Sequence, residues 1–331
     1  MIYIKPSFFD KFRCTASACT DNCCVGWEID VDEDTLAVYK QMKGEFGDRV
    51  RENLTRSEDG SICFSLCEGE RCAFLNKDNL CDIINHCGEG GLCDICREHP
   101  RFYEWFPGVT ECGLGLCCEE VCRLLLCEGF TLVAEGDGEE LNVEDKQDII
   151  ESDKYIFISA FREALFDVLF SDASLEEKLD KIMSHTEKMT GRSLVLPRSE
   201  ELVDSYRDTE PIDDSWTQYM KLIKEDLGKI REFKMDFFEI NNNEYSRILA
   251  YILYRHLIKS VFDDAVYERV LFCLNALKMI MIFDVKSYMD DGVITLRHRI
   301  DNLKRWSKQI EYSEDNTDYL IFGSDGNGKE A

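Results

Sequence analysis

Sixteen of the 17 cysteines in this chain lie between Cys14 and Cys127, leaving only Cys273 in the remainder. No other feature narrows the possible folds as far. A segment so rich in thiols draws stability from something besides an ordinary apolar core, either disulfides in an oxidising compartment or metal in a reducing one. The N-terminal run Met1-Ile2-Tyr3-Ile4-Lys5-Pro6 has no basic stretch followed by a long apolar segment and no small-residue cleavage site. That points to a cytoplasmic protein, where thiols stay reduced and read as metal ligands rather than bridges.

The 331 residues suggest about two domains, and 44% hydrophobic content is ample for a buried core. Lys plus Arg number 39 against 66 Asp plus Glu, a formal net charge of −27. A protein that tracks nucleic-acid phosphates needs clustered cations, so no nucleic-acid partner is expected. A cationic, lysine-bearing partner would suit this charge; the alternative is that the charge serves solubility alone. The most apolar run, Met279 to Phe283, is closed by Lys278 and Asp284. It falls far short of the roughly 20 residues that span a bilayer, so no membrane association is expected.

These patterns predict a mainly α protein, with an irregular cysteine-rich metal-binding domain over 1–134 and an α-helical bundle over 145–331. In the first half the apolar runs are short and broken by Gly90-Gly91, Pro100 and Pro107, which reads as loops and short helices; Asp32 to Gly44 fits one such helix. The run Glu135-Gly136-Asp137-Gly138-Glu139-Glu140 reads as a linker. Beyond it, Ser174-Leu175-Glu176-Glu177 is a capping box, followed by Leu175, Leu179, Ile182 and Met183 on one face. Trp216, Met220, Ile223, Leu227 and Ile230 make a second stripe. Leu249, Leu253, Leu257 and Val261 mark a third helix, and Val293 to Ile310 another. Val270 to Phe283 is apolar nearly all round, as a central buried helix would be.

Thiolates bind zinc or iron-sulfur clusters strongly, and ligands a few residues apart let one loop wrap a single centre. Structural zinc modules usually face two C-x2-C knuckles, and here only Cys93-x2-Cys96 has that spacing. The vicinal pairs Cys23-Cys24 and Cys117-Cys118 suit two centres or a larger cluster better than one zinc. Spacing therefore favours iron-sulfur, with zinc as the alternative.

The run Phe12-Arg13-Cys14, Cys19, Asp21-Asn22-Cys23-Cys24-Val25-Gly26-Trp27, then Asp32, resembles the opening of the flagellin lysine-N-methylase family, itself related to cysteine-cluster proteins suspected of chelating zinc or iron. Cys72-Ala73-Phe74-Leu75, Leu80-Cys81, Cys96-Arg97-Glu98-His99-Pro100-Arg101 and Glu111-x2-Leu114-x-Leu116-x-Cys118 follow in the family's order. Tyr254-Arg255-His256 and Arg305 to Asn316 resemble its closing segments, so the likeness extends over nearly the whole chain. It implies an S-adenosylmethionine-dependent methyltransferase acting on lysines of flagellin, with a 4Fe-4S cluster in the cysteine-rich half. The matching thiols are Cys14, Cys19, Cys23, Cys24, Cys72, Cys81, Cys96 and Cys118. Cys63, Cys67, Cys87, Cys93, Cys112, Cys117, Cys122 and Cys127 are additional to the pattern. Glu119 stands where the family usually has Pro, and Tyr312 where His is expected.

Methylating lysine requires a neutral amine, hence a proton acceptor or a desolvating site. Candidate acceptors are Glu98, Glu111, Glu120, Glu311 and Tyr312, although in so acidic a chain each carboxylate is expected first as an exposed surface group. Arg97 and Arg101 flank Pro100 and could grip the cofactor carboxylate, or form structural ion pairs. His99 could bind metal or be a structural histidine. No strand-bounded G-x-G-x-x-G occurs, and Cys19-x3-Cys23 is followed directly by Cys24, unlike the three-cysteine signature of radical S-adenosylmethionine enzymes. The competing reading is a non-catalytic iron-sulfur or zinc protein, binding or redox-active, whose helical half docks a partner.

Overall fold

The computed structural model describes residues 1–26, 29–57, 60–136 and 146–323, with only the backbone at 146–150. Trp27 of the N-terminal motif and the linker run after Gly136 lie outside the described residues. The chain divides into two compact units: Met1–Phe12, Tyr103–Cys117 and Val121–Ala331 form one, Arg13–Phe102 and Cys118–Glu120 the other. These boundaries follow contacts, whereas the expected division at 134 to 145 followed composition.

The larger unit is mainly helical, as the periodicity predicts, but it also carries a sheet that loops and short helices do not account for. Its strand order is Arg101–Phe106, Val109–Leu114, Ile2–Pro6 and Leu132–Glu135. Ile2–Pro6 runs parallel to Val109–Leu114, with Ile2 opposite Val109, and antiparallel to Leu132–Glu135, with Tyr3 opposite Glu135. Ile2, Tyr3, Ile4 and Val109 are β-formers, yet their hydrogen-bonding partners lie more than a hundred residues away. No local pattern announces such a pairing.

Among the helices, Leu175–Thr190 starts on the expected capping box, Glu177 N–H donating to Ser174 Oγ at 3.2 Å and Ser174 N–H to Glu177 Oε2 at 3.1 Å. Its buried face is Leu175, Lys178, Ile182 and Thr186, a lysine taking the place expected for Leu179. Lys178 Nζ donates to Asn242 Oδ1 at 3.0 Å and Ser246 Oγ at 3.1 Å, which satisfies two of its three donors. Asp214–Ile230 buries the whole predicted stripe from Trp216 to Ile230. The central helix is Val266–Asp291, buried on nearly every side and flanked by Leu175–Thr190, Asp214–Ile230, Asn242–Leu257, Leu296–Ile310 and Glu314–Phe322. Each fully buried Leu, Ile or Phe there contributes roughly 1.5–3 kcal/mol, so this helix organises the unit.

The smaller unit has a modest core of Ile29, Val31, Tyr39, Val50, Phe64, Phe74 and Ile83, completed by Cys72 and Cys93. Asp32 caps the helix Glu33–Gln41 by accepting from Thr35 N–H at 2.8 Å. Two short hairpins, Leu54–Arg56 with Ile62–Phe64 and Leu66–Cys67 with Arg71–Cys72, add strands to the loops and helices expected here. Arg49 ties the layers together, donating to Asp82 Oδ2 at 2.7 Å and to the Ala73 carbonyl at 2.8 Å. Tyr39 OH donates to the Gly91 carbonyl at 2.6 Å. A Cβ on Gly91 would stand 2.4 Å from that of Cys87, so only glycine fits.

Candidate functional site

Five thiols border the small core: Cys72 and Cys93 within it, and Cys24, Cys81 and Cys96 packed half-buried against it. Four chain segments deliver them. Cys72 N–H donates to the Cys24 carbonyl at 2.9 Å, which draws the first motif onto the second hairpin. Cys81 precedes the helix Asp82–Cys87, and an isolated bridge pairs it with Leu75. Cys93 and Cys96 begin and line the short helix Asp94–Glu98.

The thiols feel one another. Burial pushes Cys72 up to about 11, and Cys81, Cys93 and Cys67 add to the rise. Cys96 rises because it shares a hydrogen bond with Cys93, then through burial, then through Cys93, Cys24 and Cys72. Cys24 rises in the same way through its bond to Cys23, while that bond and a second from His99 lower Cys23. Each thiolate here disfavours the next, a repulsion that a bound soft cation would reverse. The donor chemistry thus fits a thiolate metal centre. As placed, however, no group of three or more His, Cys, Asp or Glu among the described residues is spaced to hold an ion.

Of the eight thiols singled out in sequence, Cys24, Cys72, Cys81 and Cys96 come together, with Cys23 adjoining Cys24. The other three stand elsewhere in this unit. Cys14 is exposed and accepts from Ala16 N–H at 3.4 Å. Cys19 is half-buried and raised by burial, with Glu119 contributing. Cys118 is half-buried beside Glu119, whose carboxylate accepts from Thr20 N–H at 3.0 Å and Thr20 Oγ1 at 2.6 Å. A proline at 119 could not make those bonds, so the departure from the family pattern has a structural role. Cys93, set apart as additional, belongs with the five; its C-x2-C spacing was the available signal.

The Arg97 guanidinium bonds Asp94 and the Leu92 carbonyl, and lies 3.6 Å from Glu98. Arg101 Nη1 donates to the Arg97 carbonyl at 3.2 Å. Both support the turn around the cis His99-Pro100 bond. Glu120 is half-buried.

The expectation of exposed surface carboxylates fails for Glu111 and Glu311, whose side chains are each 1% exposed. Both lie in the larger unit, along the helix Asn242–Leu257. Glu111 meets Arg162 through two bonds, of 2.7 and 2.6 Å, and accepts from Tyr155 OH at 2.9 Å. The Arg162 guanidinium lies over the Tyr254 ring, 5.0 Å from its centroid. Arg162 was invisible because it occupies the apolar stripe of Tyr155, Ile158, Leu165 and Leu169; a basic residue in such a stripe signals a buried partner.

Glu311 accepts from His256 Nε2 at 2.9 Å and from Ser307 Oγ, and lies 3.3 Å from Arg255. Burial opposes its charge, but Arg255, then His256 and Ser307, hold its carboxyl below the usual range. Burial pushes His256 down to about 4 despite Glu311, so the imidazole is neutral at pH 7, with Nδ1 buried and unpartnered. Next along the chain, Tyr312 OH takes the Cys117 thiol at 2.8 Å.

None of the 17 cysteines, all among the described residues, is paired in a disulfide. A small unit crowded with them, in a chain whose larger helical unit buries Glu111 and Glu311, defines a cysteine-cluster protein. Comparison with known proteins narrows this class. Over 128 residues, 37% of the chain, the sequence is 30% identical to the flagellar biosynthetic protein FliU of Salmonella muenchen and covers 75% of it. Over 128 residues it is 29% identical to lysine-N-methylases of Salmonella typhimurium and Salmonella choleraesuis, covering 32% of each. The chain belongs to the flagellin lysine-N-methylase family that these proteins represent. It spans about a third of the length of the two methylases, and the matched stretch is shorter than the likeness read from the motifs. No family model and no solved structure matches the chain.

Proposed function

We propose that this protein is a protein-lysine N-methyltransferase that uses S-adenosylmethionine to modify flagellin. The observation that carries this reading is the kinship with FliU and the two lysine-N-methylases. In such a transfer the neutral lysine Nζ attacks the sulfonium methyl carbon; the C–S bond breaks, a C–N bond forms, and the nitrogen sheds a proton. The substrate ammonium, near pKa 10.4 in water, must lose its first proton beforehand.

Cys24, Cys72, Cys81, Cys93 and Cys96 would hold the metal, an iron-sulfur cluster with zinc as the alternative. Bound there, the metal would neutralise the facing thiolates and brace the small core. Of the five candidate acceptors, Glu111 and Glu311 are committed to buried ion pairs, which favours Glu98, Glu120 or Tyr312 for that role. Arg97 and Arg101 remain the candidates for the cofactor carboxylate.

Anaerobically purified protein incubated with S-adenosylmethionine and flagellin should yield methylated lysines detectable by mass spectrometry. The second reading, a non-catalytic metal-binding or redox protein, is favoured by the sealing of Glu111 and Glu311. An intact metal centre with no lysine modification would support it instead.

A further inference from the structure

We propose that Tyr103 and Trp105 form a docking platform for a lysine side chain of an extended polypeptide partner. Trp105 is 69% exposed, whereas Trp216 and Trp306 are 3% and 0% exposed. The Tyr103 and Trp105 rings lie 6.1 Å apart with planes inclined by 22°, and two-residue spacing puts both on one face of Arg101–Phe106. The other face anchors the strand. Phe106 packs against Tyr155 and Phe262 at 4.7 and 5.3 Å, and Glu104 meets Lys259 at 2.8 Å. This is the outer strand of its sheet among the described residues. The aromatic pair is thus presented on a braced backbone, which limits the ordering cost of binding.

An exposed indole with a phenol ring beside it can seat a nucleobase, an apolar group or a cation. The net charge of −27 repels a phosphate backbone and attracts a cation. An ammonium is drawn most strongly to an indole face, and the methylene stem of lysine can lie along the neighbouring phenol ring. The platform would hold a lysine-bearing partner whether or not chemistry follows. It rests on the methyltransferase reading only in taking flagellin as that partner.

The test titrates the full chain, kept anaerobic, with a lysine-containing peptide, the same peptide acetylated on lysine, and a single-stranded oligonucleotide, followed by calorimetry and tryptophan fluorescence. The lysine peptide is expected to bind and the acetylated one to bind more weakly. Trp105→Ala should weaken binding roughly two- to fivefold with an unchanged unfolding midpoint, and Trp105→Phe should retain part of the affinity. The proposal is overturned by no binding of the lysine peptide, by equal binding of the acetylated peptide or to Trp105→Ala, or by oligonucleotide binding that depends on Trp105. A failed methylation assay would leave this outcome unaffected, because no turnover is read.

Discussion

Arg162 and Glu111 face each other in a two-pronged ion pair, Nη1 to Oε2 at 2.7 Å and Nη2 to Oε1 at 2.6 Å, with side chains 2% and 1% exposed. Breaking one half strands the other as a buried charge, which typically costs about 3–5 kcal/mol. Glu111→Gln and Arg162→Met should each lower stability by that order in urea unfolding. The double replacement Glu111→Leu with Arg162→Met should recover much of the loss. Additive losses would show that the pair is not coupled.

Acid should weaken the larger unit through His256. Its folded pKa of about 4 lies below the ordinary 6.5, so the unfolded chain takes up the proton first as pH falls. The stability it contributes is complete above about 6.5 and is lost progressively down to about 4, roughly 2 kcal/mol between pH 7 and 5. Glu311, held below its usual range, adds a loss of the same sign at lower pH. Urea midpoints at pH 7 and 5 should show the drop in the native chain, and His256→Phe should flatten it.

The thiol cluster predicts which cysteines matter for metal. After anaerobic reconstitution, Cys72→Ser and Cys96→Ser should lose most bound iron or zinc by elemental analysis. Cys127→Ser, at an exposed position in the other unit, should keep the native content. A similar loss in all three would detach metal binding from this core.

Gly91→Ala tests the packing beneath the thiols. The added Cβ collides with that of Cys87 and displaces the carbonyl that Tyr39 OH binds. A penalty of about 1–3 kcal/mol is expected, read as a lowered thermal midpoint.

Much of the helical architecture was legible because its causes are local. Trp216 to Ile230 recur at the helical period, and Ser174 and Glu177 satisfy each other's amides within one turn. The sheet was not, since Ile2 and Val109 meet only through the tertiary fold. Periodicity also treats a buried charge as a break in an apolar stripe, so Arg162 and Lys178 went unseen although each has polar partners inside. In the candidate site, motif order picked out Cys24, Cys72, Cys81 and Cys96 but passed over Cys93, whose membership depends on where the helix Asp94–Glu98 sets it.

The sheet has a consequence for how the protein is made. Its strand Ile2–Pro6 is synthesised before both of its neighbours, Val109–Leu114 and Leu132–Glu135, which come more than a hundred residues later. The thiol-rich stretch Arg13–Phe102 is synthesised in that interval, with its core residues already complete. Synthesis order therefore gives the nascent chain a period in which the cysteine unit can collapse before the sheet can close.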